Sequence, residues 1–439
     1  MSAVSPDLWA VGLAYPVSTV VGTASFLLSP LVLAYRWDRT PSVRRWLDGL
    51  QRRFTGQPDW RWLRLWHLMV PLAVITVANI VFQVSTLSCS DDSLAILASG
   101  RAALAGHNPF LVTYCGGGSP AQIPYGAAEV AVNALGALSN SVAGMWVVWQ
   151  LLALAVVPLV WAVGGADRRY LAALTATSVL YLPNIATNIG VENAIVPVST
   201  LAMLWALGRP GPRGWLGKGL ASFLATARFP ALFPLLGASA PLRTGRWRQT
   251  TLVLGVFLGA VGTTYLIWGP SAIQVVYLGQ FARASNESLN FFAVLLAQSW
   301  FQATLASAAI QGAGLLALVL LVNWRGYSAA AACGLPLLGV MALSQYLTFH
   351  FVLWIVPCVL LGAAVNRGLY VYAALAWLDE NVALATLAWG RNIWWPYELL
   401  GLVLFAILVY LIVRVVRDEE RRLRAVGPGP PAASAAPPS

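Results

Sequence analysis

The chain of 439 residues is far more apolar than a soluble protein, because 59% of its residues are hydrophobic and only 10% are charged. Soluble domains carry about 25% charged residues, so the charges are too few to cover a water-facing surface. The net charge of +11 could suggest a nucleic-acid partner. The basic residues concentrate, however, in short segments between apolar blocks, a pattern typical of the cytoplasmic loops of membrane proteins. We therefore expect no nucleic acid and a multi-pass protein of the cell membrane.

The apolar residues form blocks of about 17 to 25 residues, which is the length of a helix that crosses a hydrocarbon core of about 30 Å. Only helices and closed barrels satisfy their backbone groups in lipid. The sequence therefore predicts an all-α polytopic membrane protein with about eleven transmembrane helices. These are expected at 10–35, 66–88, 143–163, 170–188, 191–208, 250–268, 303–323, 328–344, 351–366, 368–378 and 398–415.

The basic segments predict the orientation of these helices, because Lys and Arg mark the cytoplasmic side. Placing the basic segments inside puts the N-terminus outside and the C-terminus in the cytoplasm. The predicted cytoplasmic segments are 36–65, 164–169, 209–218, 241–249, 324–327, residue 367 and the C-terminal tail. Three regions follow: an extra helix with a basic segment over 1–65, a transmembrane domain over 66–425 with its longest outer loop at 89–142, and a disordered tail over 426–439.

Residues 216–240 are apolar although basic loops flank both ends. A full crossing would break the charge rule, so we expect a re-entrant helical hairpin, broken at Pro230 with Arg228 near its tip. Residues 291–302 are expected to form a short amphipathic helix on the outer side. Cys333 and Cys358 are interpreted as small apolar residues, and a disulfide is expected between Cys89 and Cys115 in the outer loop.

Asp91 and Asp92 open a helical pattern that ends in Gly106-His107-Asn108-Pro109-Phe110. An acid at a helix start can be an N-cap or a first-turn acid that the helix dipole favours, or it can be a general base at the membrane surface. This order of an acid, a helix and the segment Gly106 to Phe110 nevertheless resembles a signature of the GT-C superfamily of membrane glycosyltransferases, in which an acid and a helix are followed by Gly-x-x-Pro-Tyr. It is most similar to the actinobacterial branch of polyprenol-phosphate-sugar-dependent α-mannosyltransferases and arabinofuranosyltransferases. The spacing to the proline selects Asp92, with Asp91 as its neighbour.

Further segments resemble motifs of the same branch in the same order, so that the resemblance covers about residues 66–366. The segments are Pro124-Tyr125-Gly126 with Leu135-Gly136-Ala137-Leu138, Gly190-Val191-Glu192-Asn193, Ala227-Arg228-Phe229-Pro230, Asn286-Glu287-Ser288-Leu289-Asn290, and Ser344 to Pro357 with His350. In the second of these segments, Glu192 departs from the family pattern.

The resemblance implies a GT-C-like fold that transfers a sugar, with mannose favoured over arabinofuranose, from a polyprenyl-phosphate donor. The acceptor would be a glycolipid or glycan on the extracytoplasmic side, and the anomeric centre would be inverted. Asp92, or else Asp91, would act as general base towards the acceptor hydroxyl.

The remaining candidates each have a second explanation. Arg228 could bind the leaving phosphate or extend to the inner headgroups, and Arg283 and Arg391 could meet an outer phosphate or anionic lipid. His350 could contact phosphate or sugar, or simply cap a helix, and His107 could touch substrate or only solvent. Glu192 and Glu287 could bind sugar hydroxyls or cap helices, and Asn193 and Asn286 accompany them in the motifs.

The sequence predicts no metal site, because no spacing of ligands is diagnostic, and no cofactor. A glycine-rich nucleotide loop is not found, which fits a lipid-linked donor. The main alternative to an enzyme is a flippase or other transporter of lipid-linked sugars. We see no internal repeat of the kind that many transporters contain.

Overall fold

A computed structural model of the protein describes residues 60–84, 92–113, 121–122, 125–179, 191–239, 247–278, 305–343, 349–388 and 395–426, with a few isolated residues before 60. Within these ranges the regular secondary structure is helical apart from one antiparallel pair of two-residue strands, β1 (Leu111–Val112) and β2 (Ala121–Gln122). The all-α prediction is confirmed. The predicted helix over 10–35, the amphipathic helix over 291–302, the Cys89–Cys115 disulfide and the tail beyond residue 426 lie outside the described residues.

The helices follow one another along most of the described chain. In the first half they are α1 (Leu65–Val84), α2 (Asp92–Leu104), α3 (Ala127–Ala137), α4 (Val142–Leu154), α5 (Val156–Val163), α6 (Arg168–Leu174), α7 (Ile195–Leu207), α8 (Gly211–Leu224) and α9 (Leu232–Ser239). In the second half they are α10 (Trp247–Trp268), α11 (Leu305–Arg325), α12 (Ala329–Leu343), a 3₁₀ helix (Phe349–Leu361), α13 (Ala363–Ala388) and α14 (Trp395–Val426). Shorter 3₁₀ turns at Gly165–Asp167 and Val191–Ala194 and π-helical turns at Thr175–Val179 and Gln274–Leu278 join some of them.

Three stretches among the described residues are long and apolar enough to cross a membrane: Val142–Val163, Trp247–Trp268 and Leu399–Ala425. The first comprises α4 and α5, which meet at Ala155. Pro158 explains the irregularity there, because proline has no N–H to donate to the carbonyl four residues earlier. The long apolar helices indicate association with a membrane. The total of about eleven crossings and the GT-C architecture remain predictions.

Two predicted boundaries are wrong. The helices expected at 351–366 and 368–378 meet at Gly362, whose φ of +108° ends the 3₁₀ helix, so that residue 367 lies inside α13 rather than in a loop. Glycine adopts this backbone conformation at little cost. The last helix runs to Val426 instead of residue 415, and an ion pair of 3.0 Å between Arg414 and Asp418 spans one turn of its charged end.

The apolar core lies among α4 to α9, α12, the 3₁₀ helix and α13, with Trp149 and Tyr372 among its largest fully buried side chains. Residues 331–342 of α12 are all buried. Cys333 and Cys358 are buried free thiols in this core, as expected for small apolar residues. Glycine allows the closest approach of two helices at Gly237, where a Cβ would collide with the Ala332 carbonyl oxygen of α12.

The apolar segment 216–240 is interrupted, as predicted, although the interruption centres on Arg228 rather than Pro230. Here α8 ends in a 3₁₀ turn at Ala225–Ala227, Arg228 is extended (φ −137°, ψ 112°), and Phe229–Ala231 forms a second 3₁₀ turn before α9. We call residues 225–231 the helix break. The 14 residues of α8 rise about 21 Å, which is two thirds of a bilayer core.

Candidate functional site

The helix break is attached to the beginning of α3. The amide of Gly126 donates to the Ala227 carbonyl at 3.0 Å, and the Tyr277 hydroxyl donates to the Thr226 carbonyl at 3.3 Å. Gly126 occupies the N-cap of α3 and has no side chain to cap it, so the Thr226 hydroxyl accepts from the Ala128 amide at 3.0 Å instead. Helix N-termini need such an acceptor for their first amides. The break and α3 therefore hold each other in place.

Arg228 lies between two carboxylates at this junction. Its Nε is 3.4 Å from Glu129 Oε2 and its Nη2 is 3.7 Å from Glu192 Oε1. The three residues are 6%, 0% and 7% exposed. We call Glu129, Glu192 and Arg228 the buried charge cluster. Charges removed from water are stable only when they are paired, because desolvation costs several kcal/mol per ion.

The buried charge cluster has more hydrogen-bonding capacity than the surrounding described residues use. Both carboxylate oxygens of Glu129, and Nε and Nη2 of Arg228, are buried without a hydrogen bond from or to any described residue. Two carboxylates also face a single guanidinium. A partly satisfied polar network is costly, and such groups in a folded protein call for a functional explanation. The cluster can bind a polar ligand whose hydroxyls donate to carboxylates and whose anionic oxygens accept from the guanidinium.

Aromatic and amide side chains orient the cluster. The Arg228 Cζ lies 3.8 Å from the centroid of the Tyr125 ring, so the guanidinium stacks on the ring. Asn193 donates from Nδ2 to Glu192 Oε1 at 3.3 Å, and its Oδ1 accepts from Trp354 Nε1 at 3.1 Å. The Gly-Val-Glu-Asn segment, the Tyr-Gly segment and the 3₁₀ helix therefore all reach the same site.

α2 and Tyr125 pack on the same small apolar cluster. Asp92 is the first residue of α2. Ala95, one turn later, is buried with Val112 in a small apolar cluster against which Tyr125 also packs. Three residues of helix rise about 4.5 Å. α2 and the ring on which the guanidinium stacks thus pack on one apolar cluster.

The structure unites only some of the residues that the sequence singles out. Arg228, Glu192 and Asn193 come together. For Asp92 and His350 only the backbone is described, at the starts of α2 and the 3₁₀ helix. Outside the described residues lie Asp91, Arg283, Asn286, Glu287 and Arg391.

His107 is not part of the cluster. It is exposed beyond the C-terminal end of α2, where its amide donates to the Ala102 carbonyl at 2.8 Å. The helix length puts it about 20 Å from the Asp92 end. The suggestion that it contacts the same substrate therefore gains no support from its position.

The sequence analysis did not single out Glu129. The structure buries this residue completely. A signal was present: Glu129 and Asn133 lie four residues apart in the otherwise apolar α3, and so on one helix face. Asn133 is also fully buried and accepts from Trp149 Nε1 at 3.0 Å.

Comparison of the chain with protein-family models, with curated proteins and with solved structures found no match. The function must therefore be argued from the site itself and from the motifs that meet there.

Proposed function

We propose that the protein is a membrane glycosyltransferase. It would move a sugar, mannose in the first instance and arabinofuranose in the second, from a polyprenyl phosphate to a glycolipid or glycan on the extracytoplasmic side. One observation carries the proposal. The motif segments around Tyr125, Glu192 and Arg228 are far apart in the chain, yet these three residues meet at one buried polar site. The helix that Asp92 begins packs on the same small apolar cluster as Tyr125, which supports Asp92 as the base.

The chemistry of the site suits a sugar bound to a phosphate. Carboxylates accept hydrogen bonds from sugar hydroxyls, and a guanidinium binds phosphate through charge-assisted hydrogen bonds. Glu129 and Glu192 would orient the sugar, and Arg228 would stabilise the negative charge that grows on the lipid phosphate. The Tyr125 ring and Asn193 hold these groups in fixed positions, so little reorganisation is needed during reaction.

The reaction is a single displacement. Asp92 takes the proton of the acceptor hydroxyl, whose oxygen forms a bond to the anomeric carbon while the bond from that carbon to the phosphate oxygen breaks. The electron pair leaves with the polyprenyl phosphate, and the anomeric centre is inverted. One carboxylate base suffices, in contrast to the two-carboxylate schemes of glycoside hydrolysis.

A second candidate is a flippase for lipid-linked sugars. It is favoured by the burial of all three charged residues of the cluster. Ionisable side chains inside a membrane bundle commonly mark the path of a transported solute or proton. A transporter would use the cluster for binding alone and would need no base at Asp92.

Sugar transfer by the purified protein in detergent tests the proposal. Polyprenyl-phosphate mannose and arabinofuranose, radiolabelled in the sugar, are incubated with membrane glycolipid extract. We expect transfer from one donor, loss of at least about a hundredfold in Asp92→Asn, in line with the usual contribution of a general base, and unchanged donor binding. Asp91→Asn should retain transfer.

Asp418→Asn is the matched control, because it removes a carboxylate that is paired with Arg414 at 3.0 Å in α14, away from the cluster. Donor binding without transfer in the wild type, together with wild-type binding in Asp92→Asn, would favour the flippase. Equal loss of transfer in Asp92→Asn and Asp418→Asn would contradict the assignment of Asp92 as the general base.

A further inference from the structure

A basic and aromatic groove lies away from the buried charge cluster, where the N-terminal ends of α8 and α10 come together. Two adjoining cavities of about 570 Å³ and 400 Å³ occupy it, and both are lined by Trp215. The sequence places both segments, 209–218 and 241–249, on the cytoplasmic side. The groove is thus expected at the inner surface of the membrane.

The smaller cavity is polar and positively charged. Arg209, Lys218 and Gln249 line it. The Lys218 ammonium lies 4.9 Å from the centroid of the Trp215 ring, and Lys218 is buried although it carries a charge. The Gln249 Oε1 is buried and accepts no hydrogen bond from the described residues. The cavity therefore suits a ligand that combines an anion with a hydrogen-bond donor.

The larger cavity continues from this charged end along α10. Arg248 lines its entrance, and Leu252, Gly255 and Val256 line its length. The spacing puts these residues on one face of the helix. A Cβ built on Gly255 would meet nothing within 4 Å, so the glycine leaves open space. Because α10 is one of the stretches long and apolar enough to span a membrane, the groove leads from basic side chains into the apolar part of the helix.

We infer that this groove binds an anionic phospholipid with a hydroxyl-bearing headgroup, such as phosphatidylglycerol. Its phosphate would pair with Arg209, Lys218 and Arg248, and a headgroup hydroxyl would donate to Gln249. One acyl chain would lie along Leu252 to Val256. Basic pockets at the cytoplasmic ends of membrane helices bind acidic headgroups in this way. The inference does not depend on the proposed glycosyltransferase activity.

Lipid binding is measured on the purified full chain in detergent by native mass spectrometry and by thermal shift. The probes are phosphatidylglycerol, phosphatidylcholine with the same acyl chains, and glycerol 1-phosphate. We expect phosphatidylglycerol to bind and raise the Tm, phosphatidylcholine to bind at least about tenfold more weakly because it has no net charge, and glycerol phosphate to bind weakly without the apolar contact. Salt should weaken the binding, because the charged contacts are close to solvent.

Two variants separate the halves of the groove. Arg209→Gln should reduce phosphatidylglycerol affinity about tenfold, and Gly255→Leu should block the acyl chain while leaving the helix intact, because leucine is a better helix former. The control for the first is Arg168→Gln, since Arg168 lies 5.6 Å from the Trp161 ring just as Arg209 lies 5.2 Å from Trp205. The control for the second is Gly312→Leu, which fills an open glycine position of α11, outside the groove.

Equal binding of phosphatidylglycerol and phosphatidylcholine would overturn the inference. So would the same loss in Arg168→Gln as in Arg209→Gln. Glycerol phosphate that binds as tightly as the lipid would show a phosphate site without an acyl groove, and would also overturn it.

Discussion

Arg228 and Glu129 meet with 3.4 Å between Nε and Oε2, although one lies in a helix break and the other in a distant apolar helix. Glu129 is fully buried and Arg228 is 6% exposed, so water screens their charges little. Glu192 adds a second carboxylate, 3.7 Å from Nη2. Among the described residues of the site, two carboxylates therefore face one guanidinium, and this ratio determines how the three residues respond to substitution.

Arg228→Gln should destabilise the protein much more than Glu129→Gln. The first change removes the cation that both buried carboxylates face, and breaking a buried pair costs about 3–5 kcal/mol. The second leaves one carboxylate facing one guanidinium. Thermal unfolding in detergent measures the difference, and Arg228→Lys, which keeps the charge but not the planar stack on Tyr125, should fall between the two. Equal destabilisation by Arg228→Gln and Glu129→Gln would mean that the carboxylates are not both ionised.

Gly126→Ala should loosen the junction between α3 and the helix break. A Cβ at this position would collide with the Thr226 carbonyl oxygen, and the backbone of the break would have to move. Overpacking of this kind costs about 1–3 kcal/mol. The Tm should fall, and so should any activity that needs Arg228 beside Glu129.

Gly262→Ala is the control for this change. A Cβ at Gly262 in α10 meets nothing within 4 Å, so the substitution should be neutral or stabilise the helix by up to about 1 kcal/mol. A neutral Gly126→Ala would show that the contact between Gly126 and the break is looser than the structure has it.

The fold could be predicted where hydropathy alone decides it. The helix expected at 250–268 runs from Trp247 to Trp268, because a long apolar run has no other stable state in lipid. The boundary at Gly362 was missed, because hydropathy does not report a positive φ in the middle of an apolar stretch. An interruption of the segment 216–240 was expected at Pro230, because basic loops flank both of its ends, whereas the structure centres the interruption on Arg228.

The candidate site was only partly predictable, because its contacts join distant segments. Motif order selected Arg228, Glu192 and Asn193, and the structure brings these three together. Glu129 was not selected, because nothing local in the sequence indicates that α3 packs against the helix break. The pairing depends on the Thr226 hydroxyl, which caps α3 from a distant part of the chain.

Because of Tyr327, the stability of the fold should change with pH in the alkaline range. Partial burial, together with its hydrogen bond of 2.9 Å to Glu420 Oε1, raises the pKa of its hydroxyl from 10 to about 12. The pKa of Tyr327 is higher in the folded chain than in the unfolded chain. The contribution of Tyr327 to the stability of the fold is therefore complete below pH 10 and is lost as the pH rises from 10 to about 12.

The Tm of the wild type should therefore fall more steeply over this range than that of Tyr327→Phe. Tyr410→Phe, which changes an exposed tyrosine of α14, should follow the wild type. Parallel Tm curves for the wild type and Tyr327→Phe would contradict the role of the hydrogen bond to Glu420.

Trp354→Phe tests whether Asn193 contributes to the function of the site or only to stability. The substitution removes the donor to the buried Asn193 Oδ1, and an unsatisfied buried acceptor costs about 1–3 kcal/mol. Trp149→Phe removes an equivalent buried bond of 3.0 Å to Asn133 Oδ1, so the two variants should lose similar stability. Because Asn193 holds Glu192 beside Arg228, only Trp354→Phe should also weaken binding of the polyprenyl-phosphate sugar. If both variants weakened that binding equally at equal Tm, Asn193 would have a structural role alone, and the sugar contacts would have to be sought elsewhere around Arg228.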